Sequence, residues 1–273
     1  MTVALETHQD FPSRYVQSRR VDVWLPPGYQ ANPDQKFGVL YMHDGQNVFN
    51  PETAYAGVDW GVVPALEKLV EANSVPEIIV VGIWNTEKRV AEYLPQRPFE
   101  TPAGQVTLAR LIAEIGDPHS DAYLRFLVEE LKPFINNHYR TLDDRAHTTI
   151  MGSSMGGLIS LYALCEYPDH FGGAGCVSIH WPIMDGHMIA YLNKALPAPG
   201  DHLIYYDYGT VDMDALYEPH QKEVDVLMRA AGYEADKDWM TRRFEGANHS
   251  EQAWRERVHI PLQFLLGRKV GSN

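Results

Sequence analysis

The chain has 273 residues, of which 45% are hydrophobic, carries a formal charge of −13 and contains two cysteines. That length and apolar content suffice for one large domain with a buried core, and the charge excludes nucleic acid and anionic membrane surfaces as expected partners, because both repel the chain's average field. Residues 1–8 lack a basic region followed by an apolar core, and no apolar run approaches the length of a membrane span. A cytoplasmic protein with no membrane partner is the expectation.

In chain order, the first strand-like run is 21–25, which ends at Pro26-Pro27-Gly28-Tyr29 and reads as an antiparallel edge hairpin leading into the core. Strand-like runs follow at 38–42, 78–83, 148–151, 174–178, 202–207 and 239–244, and helical periodicity marks 60–73, 121–138, 154–166, 219–231 and 250–266. Ser120 is the expected N-cap of the second helix and Gly232 the C-terminal stop of the fourth. The alternation predicts an α/β fold, a mostly parallel central sheet with helices on both faces, in a single domain over 1–273. Between 85 and 116 the chain is rich in Pro, Arg and Glu and reads as an irregular loop, a lid or substrate wall. Cys165 and Cys176 are expected as buried thiols, since a chain of this size does not need a lone disulfide.

The run Gly152-Ser153-Ser154-Met155-Gly156 carries the chemistry. A Gly-x-Ser-x-Gly between a buried strand and a helix is a nucleophile elbow, a strained turn where only small flanking residues fit and the serine Oγ stands clear. Ser154 has glycines at both −2 and +2, and Ser153 does not. A serine hydroxyl needs a base, and the base needs an acid to orient it, in the chain order Ser, acid, His. His249 lies just past the last strand, before a helix that Ser250 can cap. His220 and His259 fall inside helical segments and read as structural or solvated. The loop after 202–207 offers Asp212 and Asp214; Asp212 is the first choice for its nearness to the strand end, with Asp214 two positions on as the alternative. Met155 N–H is the expected first oxyanion donor. The second is Gln46 N–H, in the loop His43-Asp44-Gly45-Gln46-Asn47, with Asp44 structural.

Together these segments, with Val23 to Tyr29, Leu40 to Asn47, Val80 to Ile83, Gly209-Thr210-x-Asp212 and His249-Ser250-x-x-x-Trp254, resemble the esterase branch of the α/β-hydrolase superfamily, the enterochelin esterase and esterase D-like family. The resemblance implies an α/β-hydrolase fold, Ser154 as nucleophile, His249 as base, Met155 and Gln46 as oxyanion donors, and ester chemistry on a small-molecule substrate. The Gly-Thr-x-Asp form favours Asp212, while other relatives carry the acid two positions later. Trp84, Arg89 and Trp181 follow strand ends and are candidate substrate-pocket residues; an ion pair with Glu92 is the alternative for Arg89. No metal ligand set with hydrolytic spacing is evident, and neither a metal nor an organic cofactor is expected. A serine carboxylesterase for a small or aryl ester is the reading. A siderophore-type lactone esterase, an acyltransferase and a catalytically silent binding domain are the alternatives.

Overall fold

Period-two alternation of large apolar residues builds a sheet that is buried on both faces. The computed structural model describes residues 4–267. Its strands are β1 (Ala4–Phe11), β2 (Arg19–Leu25), β3 (Gly38–His43), β4 (Ile78–Ile83), β5 (Thr148–Ser153), β6 (Gly173–Val177), β7 (Leu203–Gly209) and β8 (Trp239–Phe244), in the order β1-β2-β4-β3-β5-β6-β7-β8. From β4 to β8 the neighbours are parallel, and β2 pairs antiparallel with both β1 and β4. Val39 and Tyr41 join the core on one face while Leu40 and Met42 join the core on the other; Ile79 and Val81 are divided from Ile78 and Val80 in the same way.

The longer helices are α1 (Val62–Glu71), α2 (Pro102–Ile115), α3 (residues 120–138), α4 (Met155–Glu166), α5 (His187–Ala195), α6 (Glu218–Ala230), α7 (Glu251–Arg257) and α8 (His259–Leu266). Helix α4 is buried all round, as expected of a helix with no polar face, and lies against β5 and β6. Cys165, near its end, and Cys176, on β6, are both free and buried. Among the described residues no helix is long and apolar enough to cross a membrane.

The structure corrects the sequence reading in several places. The edge strand is β1, unseen in a run as polar as Glu-Thr-His-Gln-Asp, and β2 lies one position inside it. The supposed irregular segment 85–116 contains a helical turn at Arg89–Tyr93, a 3₁₀ turn at Arg97–Phe99 and α2. Helix α2 is capped by Thr101, whose hydroxyl accepts from Gly104 N–H, with Pro102 at its first position. Ser120 is buried inside its helix, with His119 at the N-cap position. The helix expected over 250–266 is divided between α7 and α8, because Pro261 has no N–H to give the Arg257 carbonyl.

Gly45, just past β3, crosses β4 at Gly82 so closely that a Cβ would lie 2.5 Å from the Gly82 carbonyl carbon. Gly45→Ala should therefore displace this loop and destabilise the protein by about 2 kcal/mol, lowering Tm by roughly 4–8 °C. Thermal unfolding followed by circular dichroism checks this, and an unchanged Tm contradicts the close crossing.

Candidate active site

In a parallel sheet all carboxyl ends lie on one edge, and the loops leaving them converge. Here β3 leads to Asp44 and Gln46, β4 to Trp84 and Arg89, β5 to Ser154, β6 to Ser178 and His180, β7 to Asp212 and Asp214, and β8 to His249. The chain leaves β3 for β4 on one side and resumes at β5 on the other, so the topological switch point falls between β3 and β5.

Ser154 adopts φ 57°, ψ −119°, a strained conformation for a residue with a side chain, and occupies the N-cap position of α4. Its N–H donates to Val177 O at 2.9 Å; its carbonyl accepts from Gly157 N–H at 3.0 Å, Leu158 N–H at 3.2 Å and His180 N–H at 3.3 Å. The flanking glycines abut: a Cβ on Gly152 would lie 2.8 Å from the Gly156 carbonyl. Ser153 is buried, whereas Ser154 is part-exposed. Met155 opens α4, where the N–H has no intrahelical acceptor.

His249 Nδ1 lies 2.6 Å from Asp214 Oδ1, so of the two candidate acids the structure brings Asp214 to the candidate base. Asp212, the first choice from sequence, is exposed at φ 52° and makes no hydrogen bond to His249. The two aspartates open the 3₁₀ turn Asp212–Leu216, where side chains two positions apart point about 240° around the axis, so only one can face the imidazole. Asp214 is fully buried, and its Oδ2 accepts from Ser178 Oγ at 2.6 Å and Gly209 N–H at 2.7 Å. Burial alone pushes the Asp214 carboxyl up, but the hydrogen bonds from His249, Ser178 and Gly209 outweigh it and hold the carboxyl below its usual range. The two loops are tied together by Thr210 N–H and Val211 N–H, both donating to Ala247 O at 2.9 and 3.2 Å.

Sequence reasoning did not find Ser178. Its hydroxyl accepts from Trp254 Nε1 at 3.0 Å and Arg257 Nη2 at 2.7 Å, which uses both lone pairs and directs its one hydrogen to Asp214. Arg257 in turn donates from Nη2 at 3.0 Å and Nε at 3.2 Å to Asp207, which also accepts from Ser178 N–H and Tyr205 OH. Tyr217 and His180 were also missed; Tyr217 OH lies 2.7 Å from His180 Nδ1 and 3.5 Å from His249 Nδ1.

On the opposite side, Asp44 sits at φ 57° with its buried carboxylate held bidentately by Arg89, both contacts 2.7 Å, and by Asn85 Nδ2 at 2.6 Å. Arg89 thus pairs with Asp44, and Glu92 is taken by a buried Arg19. Gln46 is the middle residue of the 3₁₀ turn Gly45–Asn47, and its side-chain Oε1 accepts from Asn85 N–H at 3.4 Å. Of the other pocket candidates, Trp84 donates its indole N–H to Asp22 on β2, under the Arg20 guanidinium. Trp181 is only 2% exposed, with its indole N–H on Gln221, so it is a core residue rather than a pocket wall. Among the described residues no group of three or more His, Cys, Asp or Glu side chains is arranged to hold a metal ion.

His43, at the end of β3, is fully buried with Nδ1 2.8 Å from Tyr123 OH, and burial, with smaller effects from Arg89 and Arg19, pushes its imidazole down to about 3 against a partial upward pull from Asp44. The folded state therefore refuses a proton that the unfolded chain takes up below pH 6.5, so His43 removes stability as pH falls from 6.5 toward 3. His43→Gln should flatten the acid side of the stability curve by about 1 kcal/mol per pH unit between pH 6 and 4. Urea unfolding across that range checks it, and identical slopes contradict it.

Residues 13–262 match the model of a family described as "Putative esterase". Among curated proteins, the uncharacterized protein YbbA of Bacillus subtilis is 27% identical over 59% of this chain, and the ferri-bacillibactin esterase BesA of the same organism is 29% identical over 60%. In both cases the match spans 56% of the relative's length. Among solved structures, a ferulic acid esterase superposes with a TM-score of 0.68 at 21% identity, covering 97% of this chain and 99% of that one. The enterobactin esterase FES from Shigella flexneri gives 0.71 at 17%, covering 97% and 58%. These structural likenesses show the α/β-hydrolase type of fold, and the family model, matched over most of the sequence, shows that the chain belongs to that esterase family.

Proposed function

We propose that the chain is a serine carboxylester hydrolase that works through an acyl-enzyme on Ser154. The observation that carries this reading is the 2.6 Å contact of His249 with a buried, ionised Asp214, on the same rim as a serine held in elbow geometry. His249 Nε2 takes the Ser154 proton as Oγ attacks the ester carbonyl carbon. The resulting oxyanion is met by Met155 N–H, aided by the helix α4 dipole, and by Gln46 N–H. Collapse breaks the bond to the alcohol oxygen, which takes the proton from His249. Water then repeats the sequence on the acyl-enzyme and releases the acid.

No hydrogen bond joins Ser154 Oγ to His249 Nε2 among the described residues, and both residues are part-exposed. Such contacts commonly tighten only when substrate is present. The steps need only these side chains and backbone groups. A small or aryl ester is the proposed substrate class, in keeping with the ester-cleaving relatives BesA and ferulic acid esterase, whose own substrates are a property of those proteins.

With p-nitrophenyl acetate, Ser154→Ala and His249→Ala should each lower kcat by about 10⁴ to 10⁶, without adding in the double variant, because nucleophile and base act as one unit. Asp214→Asn should cost about 10² to 10⁴, whereas Asp212→Asn should stay within about threefold of wild type. Equal losses in the two aspartate variants, or an active and natively folded Ser154→Ala, would refute the assignment.

A further inference from the structure

The β6–α5 loop places a second imidazole beside the base. His180 N–H donates to the Ser154 carbonyl, so its backbone is fixed against the elbow, and its ring Nδ1 lies 2.7 Å from the hydroxyl of fully buried Tyr217. A proton count assigns its tautomer. Asp214 is a carboxylate accepting from His249, so His249 Nδ1 carries hydrogen and Tyr217 OH can only accept along its 3.5 Å contact with that atom. The Tyr217 hydrogen is then free for His180 Nδ1, which leaves the His180 proton on Nε2.

Burial, followed by the neighbouring His249 and Arg89, pushes this imidazole down to about 4, against a partial upward pull from Asp214, so it is neutral at ordinary pH. Nε2 makes no hydrogen bond with the described residues, and His180 is part-exposed, so this donor is open. Its direction along the substrate follows from its neighbours. His180 shares Tyr217 with His249, the residue that hands a proton to the departing alcohol in the proposed reaction, whereas the proposed oxyanion donors come from the first residue of α4 and from the β3 loop.

We propose that His180 is a substrate-binding residue whose Nε2–H donates to an acceptor oxygen in the alcohol portion, so that the site favours esters of oxygenated alcohols over esters of plain alkanols. This rests on the esterase reading of Ser154. The test compares 2-methoxyethyl butyrate with butyl butyrate, which match in length and differ by one ether oxygen, as a ratio of kcat/KM measured by pH-stat. One neutral hydrogen bond corresponds to a fall in that ratio of about 3- to 10-fold in His180→Phe, which keeps the ring volume but not the donor. His180→Gln, which keeps a donor at the end of its side chain, should retain the ratio to within about twofold. A ratio unchanged in His180→Phe, or lowered equally in both variants, overturns the proposal. Labelling with a fluorophosphonate separates the two levels: a labelled Ser154 with an unresponsive ratio removes only the role of His180, and an unlabelled Ser154 in the wild type removes the esterase reading and this one with it.

Discussion

A carboxylate with none of its surface exposed must be satisfied at both oxygens or it will take up a proton, and Asp214 is kept ionised by three donors from three separate parts of the chain. The hydroxyl of Ser178 is the pivot among them. Trp254 and Arg257 saturate its lone pairs, so its hydrogen has a single destination. The surrounding charges add a second effect. Arg257 pairs with Asp207 at 3.0 Å and reaches Asp214 at 3.9 Å, so one buried cation faces both carboxylates, and in the proposed reaction Asp214 steadies the imidazolium of His249.

The proposed oxyanion side is organised by a separate ion pair. Asp44 stands in left-handed conformation at the end of β3, and a carboxylate aimed at a developing oxyanion would oppose it. Arg89 and Asn85 occupy the Asp44 oxygens, which neutralises the charge and ties the β3 loop to the β4 loop. Gly45 lets that loop approach Gly82, and the Gly152 and Gly156 pair lets the elbow close. Each glycine is required by a backbone contact rather than by flexibility.

What was legible in the sequence was local. The elbow is written in five consecutive residues, and the buried strands show as apolar runs, so the strained turn at Ser154 and the parallel sheet could be read directly. The proposed acid could not be read in the same way. Asp212 and Asp214 share a loop, and the contacts that choose Asp214 come from Gly209, Ser178 and His249, the last 35 residues away. Ser178 looks like any strand-end serine until its φ of 41° turns the chain; beyond it His180 is part-exposed at the site and Trp181 enters the core, the reverse of the wall role inferred for Trp181. Strand β1 was hidden because an edge strand tolerates polar residues on its open face. Helix α2 was hidden among loop-like residues although Thr101-Pro102 and Gly116 supplied its start and stop.

The most direct measurement is to trap the acyl-enzyme. Wild-type protein mixed with excess p-nitrophenyl acetate and quenched in acid within the first turnovers, then digested and fragmented by mass spectrometry, should carry one acetyl group on Ser154 and none on Ser153. An acetyl group on any other residue in place of Ser154, or hydrolysis that proceeds with no acyl-enzyme at any quench time, would contradict the account.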